Sequence, residues 1–206
     1  MLQSKSILAT LLALGLFFNG AQAMLDFEFL KRQMVVGYAS VPRELAVWIN
    51  ERNFPYPEHP SRELGEGFSL VNDPGKLQRV GREEDWYCVV KGSKRRIRRA
   101  GKLYIPNTYT SQETGEEIDL WKANEHDIMT YSVTFKSLKE PFDAFRFAWA
   151  PSSNDRLQML IPKRTIQSID MKLWAQCFET LAELRAFSSE IVPWFDPKKW
   201  KIVGVS

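Results

Sequence analysis

The sequence predicts a single α+β domain with a mostly antiparallel sheet. Short apolar segments with period-two alternation recur through the middle of the chain between turn-forming residues, and two stretches of helical spacing, about 40–52 and 171–188, bracket them. No repeat or linker divides residues 24–206, and a content of 44% hydrophobic and 26% charged residues is that of one folded domain.

Residues 1–23 read as a secretory signal peptide. Lys5 supplies a positive start, Ile7 to Phe18 form an apolar run, Asn19-Gly20 interrupts it, and Ala21-Gln22-Ala23 fits a signal peptidase site. The run is shorter than the ~20 residues of a membrane span. Export is therefore expected, with no anchor left after cleavage. The chain contains no N-x-[ST] acceptor site, which favours a bacterial periplasm.

Along the exported part, Asp26-Phe27-Glu28-Phe29 and Met34-Val35-Val36 suggest one or two strands before Tyr38. Ser40 looks like an N-cap with Pro42 in the first turn, and Val41, Leu45, Trp48 and Ile49 share one helical face. The prolines at 55, 57 and 60 end that helix near Arg52. Phe68 to Val71 form a short apolar piece, and Asn72-Asp73-Pro74-Gly75 is a turn in which Pro sets φ and Gly accepts positive φ. Strands are expected at Trp86–Val90, Lys102–Ile105, Asp127–Leu138, Phe145–Trp149 and Met159–Ile161, and Ile118–Trp121 turns back at Gly115 as a hairpin. Asp170 caps the second helix, whose stripe is Leu173, Trp174, Cys177, Phe178, Leu181 and Leu184; a final short strand spans Lys201–Val205.

Cys88 and Cys177 are the only cysteines, and an exported chain meets an oxidising compartment, so one disulfide is expected, linking the second helix to the sheet. The densest charge lies between Lys91 and Lys102, where Lys91, Lys94, Arg95, Arg96, Arg98, Arg99 and Lys102 form a basic loop between two strands. Such a loop suits an anionic partner, since arginine forks pair with carboxylates and phosphates, although acids at 83–85 and 113–119 are near enough in sequence to balance it. A net charge of only +3 argues against nucleic acid as the partner. Trp194 and Trp200, set among lysines and prolines in the tail, are candidate interface anchors.

Glu125-His126-Asp127 is the one place where a histidine sits between two carboxylates, but neighbours on a strand point to opposite faces and make no catalytic triad. His59, in the proline-rich loop, is the only other histidine, so no metal site and no cofactor are expected. The chain contains no G-x-S-x-G, H-E-x-x-H, S-x-x-K or glycine-rich dinucleotide motif, and Gly65-Glu66-Gly67 reads as an ordinary turn. The expectation is an exported, periplasmic, non-catalytic binding protein acting through a protein partner at the cell envelope, such as an immunity factor or an accessory subunit of a secretion or conjugation apparatus. The alternative is an envelope hydrolase with carboxylates in a cleft.

Overall fold

Central strands read as near-continuous apolar runs because both of their faces are covered, and β1 (Gln33–Pro42) is such a strand, buried from Val35 to Val41. The computed structural model describes residues 32–57, 63–77, 85–150 and 153–205, so the signal peptide, the stretch before Arg32 and His59 lie outside the described residues. β1 runs directly into α1 (Arg43–Arg52), and Asn53, in the left-handed region at φ 49°, closes that helix by donating its N–H to Ile49 O. Ser40 is therefore a strand residue and not a helix cap: Pro42 holds the cap position, and its fixed φ serves both the strand end and the helix start.

The remaining strands are β2 (Gly67–Val71), β3 (Asp85–Ser93), β4 (Lys102–Tyr104), β5 (Thr108–Thr110), β6 (Glu117–Asp119), β7 (Phe145–Ala150), β8 (Ser153–Pro162) and β9 (Trp174–Phe178). Seven of them form one mixed sheet in the order β4-β7-β8-β2-β1-β3-β9, and β5 and β6 pair separately as the expected hairpin. β1–β2, β2–β8, β7–β8 and β3–β9 are antiparallel, and β4–β7 is parallel. The helices after α1 are α2 (Lys94–Arg99), α3 (Glu125–Val133), α4 (Lys163–Gln167), α5 (Leu181–Phe187) and α6 (Pro197–Trp200). The turn after β2 forms as expected, with Asp73 Oδ1 accepting the Gly75 N–H at 2.7 Å.

The second predicted helix, 171–188, is two elements. Lys172 takes φ 47°, which a helix cannot include, and Trp174–Phe178 then pairs with β3 as β9. The helix proper starts only at a capping box, in which Thr180 Oγ1 accepts the Glu183 N–H and Glu183 accepts the Thr180 N–H. Asp127–Leu138 is corrected in the opposite direction. Asn124 caps α3 by accepting the Asp127 N–H, and Ile128, Tyr131 and Ser132 are buried at helical spacing. Likewise, the basic segment after β3 folds as α2 and not as an irregular loop, and the expected last strand is a single bridge between Leu103 and Val203.

The disulfide joins Cys88 to Cys177 with a Cα–Cα distance of 3.9 Å. Both cysteines sit directly opposite each other on β3 and β9, so the bridge links strand to strand and not helix to sheet. β9 is an edge strand, and exposed edges invite unwanted pairing. Here α1 covers it. The Asn50 amide donates to Cys177 O at 3.0 Å and accepts the Cys177 N–H at 2.7 Å, and the Ala175 N–H donates to Asn53 O at 3.1 Å.

Trp194 and Trp200 are only 1% exposed and cannot be the surface anchors expected of them. Both pack edge-on against Phe147, with centroids 5.5 and 6.2 Å away, and the Trp194 indole N–H donates to Val36 O at 3.0 Å. Gly37 makes room for this: a Cβ there would lie 3.0 Å from the Trp194 ring and 2.9 Å from Val71 O. The tail is core, because two large rings bury more apolar area there than they would keep at a partner surface. A second cluster gathers Leu103, Ile105, Ile128, Tyr131, Ala148 and Leu160 beneath α3. Among the described residues no helix is long and apolar enough to cross a membrane.

Candidate functional site

Strand register assembles a hollow of about 180 Å³ over β1, β2 and β8. Tyr38 pairs with Val71, and Val71 pairs with Gln158, so these three stand in one row across the sheet. Ser40 lies two residues after Tyr38 and Ser69 two residues before Val71, on the same faces as Tyr38 and Val71 by alternation and on one side of that row because the strands are antiparallel. Arg156 lies two residues before Gln158, and Lys76 and Leu77 close the rim from the turn after β2.

Two polar atoms of this hollow are buried without a hydrogen-bond partner among the described residues. Ser40 is 7% exposed and its Oγ has no hydrogen-bond partner, and the buried Arg156 Nε has none either. The side chains of Ser69 and Gln158 also form no hydrogen bond among the described residues. Tyr38 differs: its hydroxyl donates to Glu190 O at 2.7 Å and lies 2.9 Å from Ser188 Oγ. Burial pushes its phenol above the ordinary value, so it is a neutral wall and not a base. No carboxylate, imidazole or thiol lines the hollow among the described residues.

The basic segment is not one patch. Lys94, Arg95, Arg98 and Arg99 are exposed on α2 and form no ion pair among the described residues. Arg96 is committed to Asp170 at 3.0 Å. Lys91 stands on β3 with its ammonium 4.4 Å from the Phe187 ring and 5.4 Å from the Trp174 ring, an aromatic seat of its own.

Lys102 is 2% exposed and is removed from any partner surface. Its ammonium donates to Ile97 O at 2.7 Å and Ala100 O at 2.8 Å, tying down the C-terminal end of α2 beneath Trp200. Burial lowers its pKa from 10.5 to about 8. Between those values the unfolded chain keeps a proton that the fold has released, so stability rises with pH through this window. Denaturant unfolding should therefore show a gain of about 2 kcal/mol from about pH 7.5 to about 9.5, absent in Lys102→Met. Above about pH 10 the sign reverses, because Tyr38, Tyr104 and Tyr131 keep their protons longer in the fold, Tyr131 up to about 12.

The sequence triplet Glu125-His126-Asp127 separates on α3. His126 is exposed, and Glu125 turns inward to Arg146, which is 1% exposed. Both guanidinium nitrogens pair with the carboxylate, and Arg146 Nη1 also donates to Leu64 O at 3.0 Å. Glu125 Oε2 accepts the Glu66 N–H as well, at 3.0 Å. Gly65, at φ 87°, is required here, since a Cβ would collide with Glu125 Oε2 and stand 2.8 Å from Arg146 Nη1. This cluster fastens the segment before β2 to α3 and β7. It presents a buried ion pair in place of two free carboxylates. Among the described residues, no group of three or more His, Cys, Asp or Glu converges as metal ligands.

None of Tyr38, Ser40, Ser69, Lys76, Arg156 or Gln158 stands out in the sequence as a site residue. The one signal is polar residues at positions facing inward: Ser40 interrupts the apolar run of β1, and Arg156 and Gln158 alternate with Leu157 and Met159 on β8.

Together these features define a disulfide-closed α+β domain with a mixed sheet, a polar hollow in its middle and a cationic helix at one strand end. The chain belongs to DUF5910, a family of unknown function, whose model matches residues 62–205. That match takes in Ser69, Lys76, Arg156 and Gln158 and starts after β1 and α1. No curated protein and no solved structure matches the chain.

Proposed function

We propose that the protein is an exported, non-catalytic binding protein that acts at a bacterial cell envelope, and that a protein partner with an acidic face docks on α2. The observation that carries this reading is the group of four exposed cations, Lys94, Arg95, Arg98 and Arg99, on a helix of six residues, with no ion pair among the described residues. Helix energetics accounts for Arg98 and Arg99, which lie in the last turn, but not for Lys94 and Arg95, since cations at a helix start oppose its dipole. The helix is also rigidly held: Ile97 is buried, Arg96 pairs with Asp170, and Lys102 ties the last carbonyls. Fixed arginine forks suit carboxylates on a partner. The signal-peptide pattern and the buried disulfide support export to an oxidising compartment. An immunity factor and an accessory subunit of an envelope machine both fit this reading.

The test is affinity capture from envelope extract with the wild type and with the quadruple variant Lys94→Gln, Arg95→Gln, Arg98→Gln, Arg99→Gln. The variant should lose the partner while its melting temperature stays nearly unchanged, because exposed charges contribute only about 0–1 kcal/mol per pair. Wild-type capture should also weaken with salt, as charges are screened over about 8 Å at physiological ionic strength. Equal capture by both proteins at low and high salt would overturn the proposal.

A further inference from the structure

We infer that the exposed strip of Ile191, Pro193 and Phe195 docks on an anionic phospholipid surface. Burial alternates along this segment: Val192 and Trp194 are buried, while Ile191, Pro193 and Phe195 are exposed, the two large ones at 60% and 58%. The inner side fixes the segment to the body. Asn72 O accepts the Val192 N–H at 2.9 Å, the Asn72 amide donates to Val192 O at 3.3 Å, and the Trp194 indole is bonded to Val36 O. A turn follows, in which Pro193 O accepts the Asp196 N–H at 3.0 Å, and the Phe195 ring stacks on Trp149 of β7 with centroids 5.1 Å apart. Single exposed apolar residues are ordinary on a protein surface. Here three follow one another on the outer side with no polar residue between them, within the ~14 Å that four residue steps can span. Polar side chains at these positions would leave every inner contact of Val192 and Trp194 intact.

The charges beside the strip select its occupant. Lys198, Lys199 and Lys201 follow Phe195 closely in the chain and are exposed. Lys199 pairs with Asp196 at 3.4 Å, and Lys198 and Lys201 form no ion pair among the described residues. Glu190, the exposed acid at the other end of the strip, acts electrostatically on Lys91 and does not cancel them. No arginine occurs after Arg185, which sets this surface apart from α2. Protein contact surfaces favour arginine and are depleted in lysine. A lysine ammonium is a hydrated point charge on a flexible stem, suited to a diffuse anionic surface. An exposed aromatic ring with lysines beside it is the pattern of an interfacial contact, which lies on a membrane and does not span it.

Co-sedimentation with lipid vesicles tests the inference, using the processed chain from Met24 so that the apolar run of the signal peptide stays out of the measurement. The protein should sediment saturably with vesicles of phosphatidylcholine mixed with phosphatidylglycerol, release as salt is added, and bind little to phosphatidylcholine alone. Ile191→Ser combined with Phe195→Ser should weaken binding by at least about tenfold through lost apolar burial. Lys198→Gln combined with Lys201→Gln should weaken it by about fivefold for each lysine removed. All four side chains are exposed, so both variants should melt close to the wild type, which separates a lost contact from a lost fold. No binding to the mixed vesicles, equal binding to both compositions, or unchanged binding in the Ile191→Ser, Phe195→Ser variant would each overturn the inference. So would loss of a captured protein partner by that variant in the absence of vesicle binding, which would assign the strip to a protein contact.

Discussion

Replacing Glu125 with Ala should lower the stability of the fold by about 3–5 kcal/mol, because it strands a buried guanidinium. Arg146 lies on β7 at 1% exposure, and its charge is met by the Glu125 carboxylate. Removing the carboxylate leaves Arg146 with the Leu64 carbonyl and leaves the Glu66 N–H without its acceptor. The penalty is mostly that of the uncompensated charge and only partly that of the lost pair. A double replacement, Glu125→Leu with Arg146→Met, should therefore be less damaging than Glu125→Ala alone. Urea unfolding followed by circular dichroism measures all three proteins. A loss below about 1 kcal/mol in the single variant, the range of a surface pair, would show that the ion pair is not a structural tie.

Removing the disulfide should have an effect of similar size, about 4–5 kcal/mol in the chain-entropy model, because Cys88 and Cys177 are 89 residues apart. The bridge acts mainly on the unfolded chain, which it prevents from opening that long loop. In the fold, the bridged strands are already held by the β3–β9 ladder and by Asn50 on the far side of β9. The double variant Cys88→Ala, Cys177→Ala should therefore keep its secondary structure and unfold at markedly lower urea. With Cys88 fully buried and Cys177 4% exposed, reductant should reach the bridge slowly in the native protein and quickly in denaturant. Equal urea midpoints for the double variant and the wild type would contradict this account.

The stretch 171–188 illustrates where local pattern stops being informative. Leu173, Trp174, Cys177 and Phe178 fall at spacings that suit one face of a helix, yet Trp174 to Phe178 also alternates as a strand. Partner strand β3, the Cys88–Cys177 bridge and the Asn50 amide decide between the two, and all of them come from elsewhere in the chain. The same holds for 125–133, where alternating residues suggested a strand. A cap at Asn124 and the pull of Arg146 on Glu125 favour a helix.

What the sequence by itself determined is the class of fold, the turn at Asp73–Gly75, the helix ending near Arg52, the hairpin closing at Gly115 and the identity of the only possible disulfide. Each depends on residues close in the chain or, for the cysteines, on there being only two. Tertiary structure alone decided that Trp194 and Trp200 are core, that Lys102 is buried, that Gly65 makes room for an ion pair and that a polar hollow exists at all. Tyr38, Val71 and Gln158 become neighbours only through the register of β1 with β2 and of β2 with β8. Register follows from which face of each strand the whole core buries, and a one-residue slip would move every one of these side chains to the opposite face.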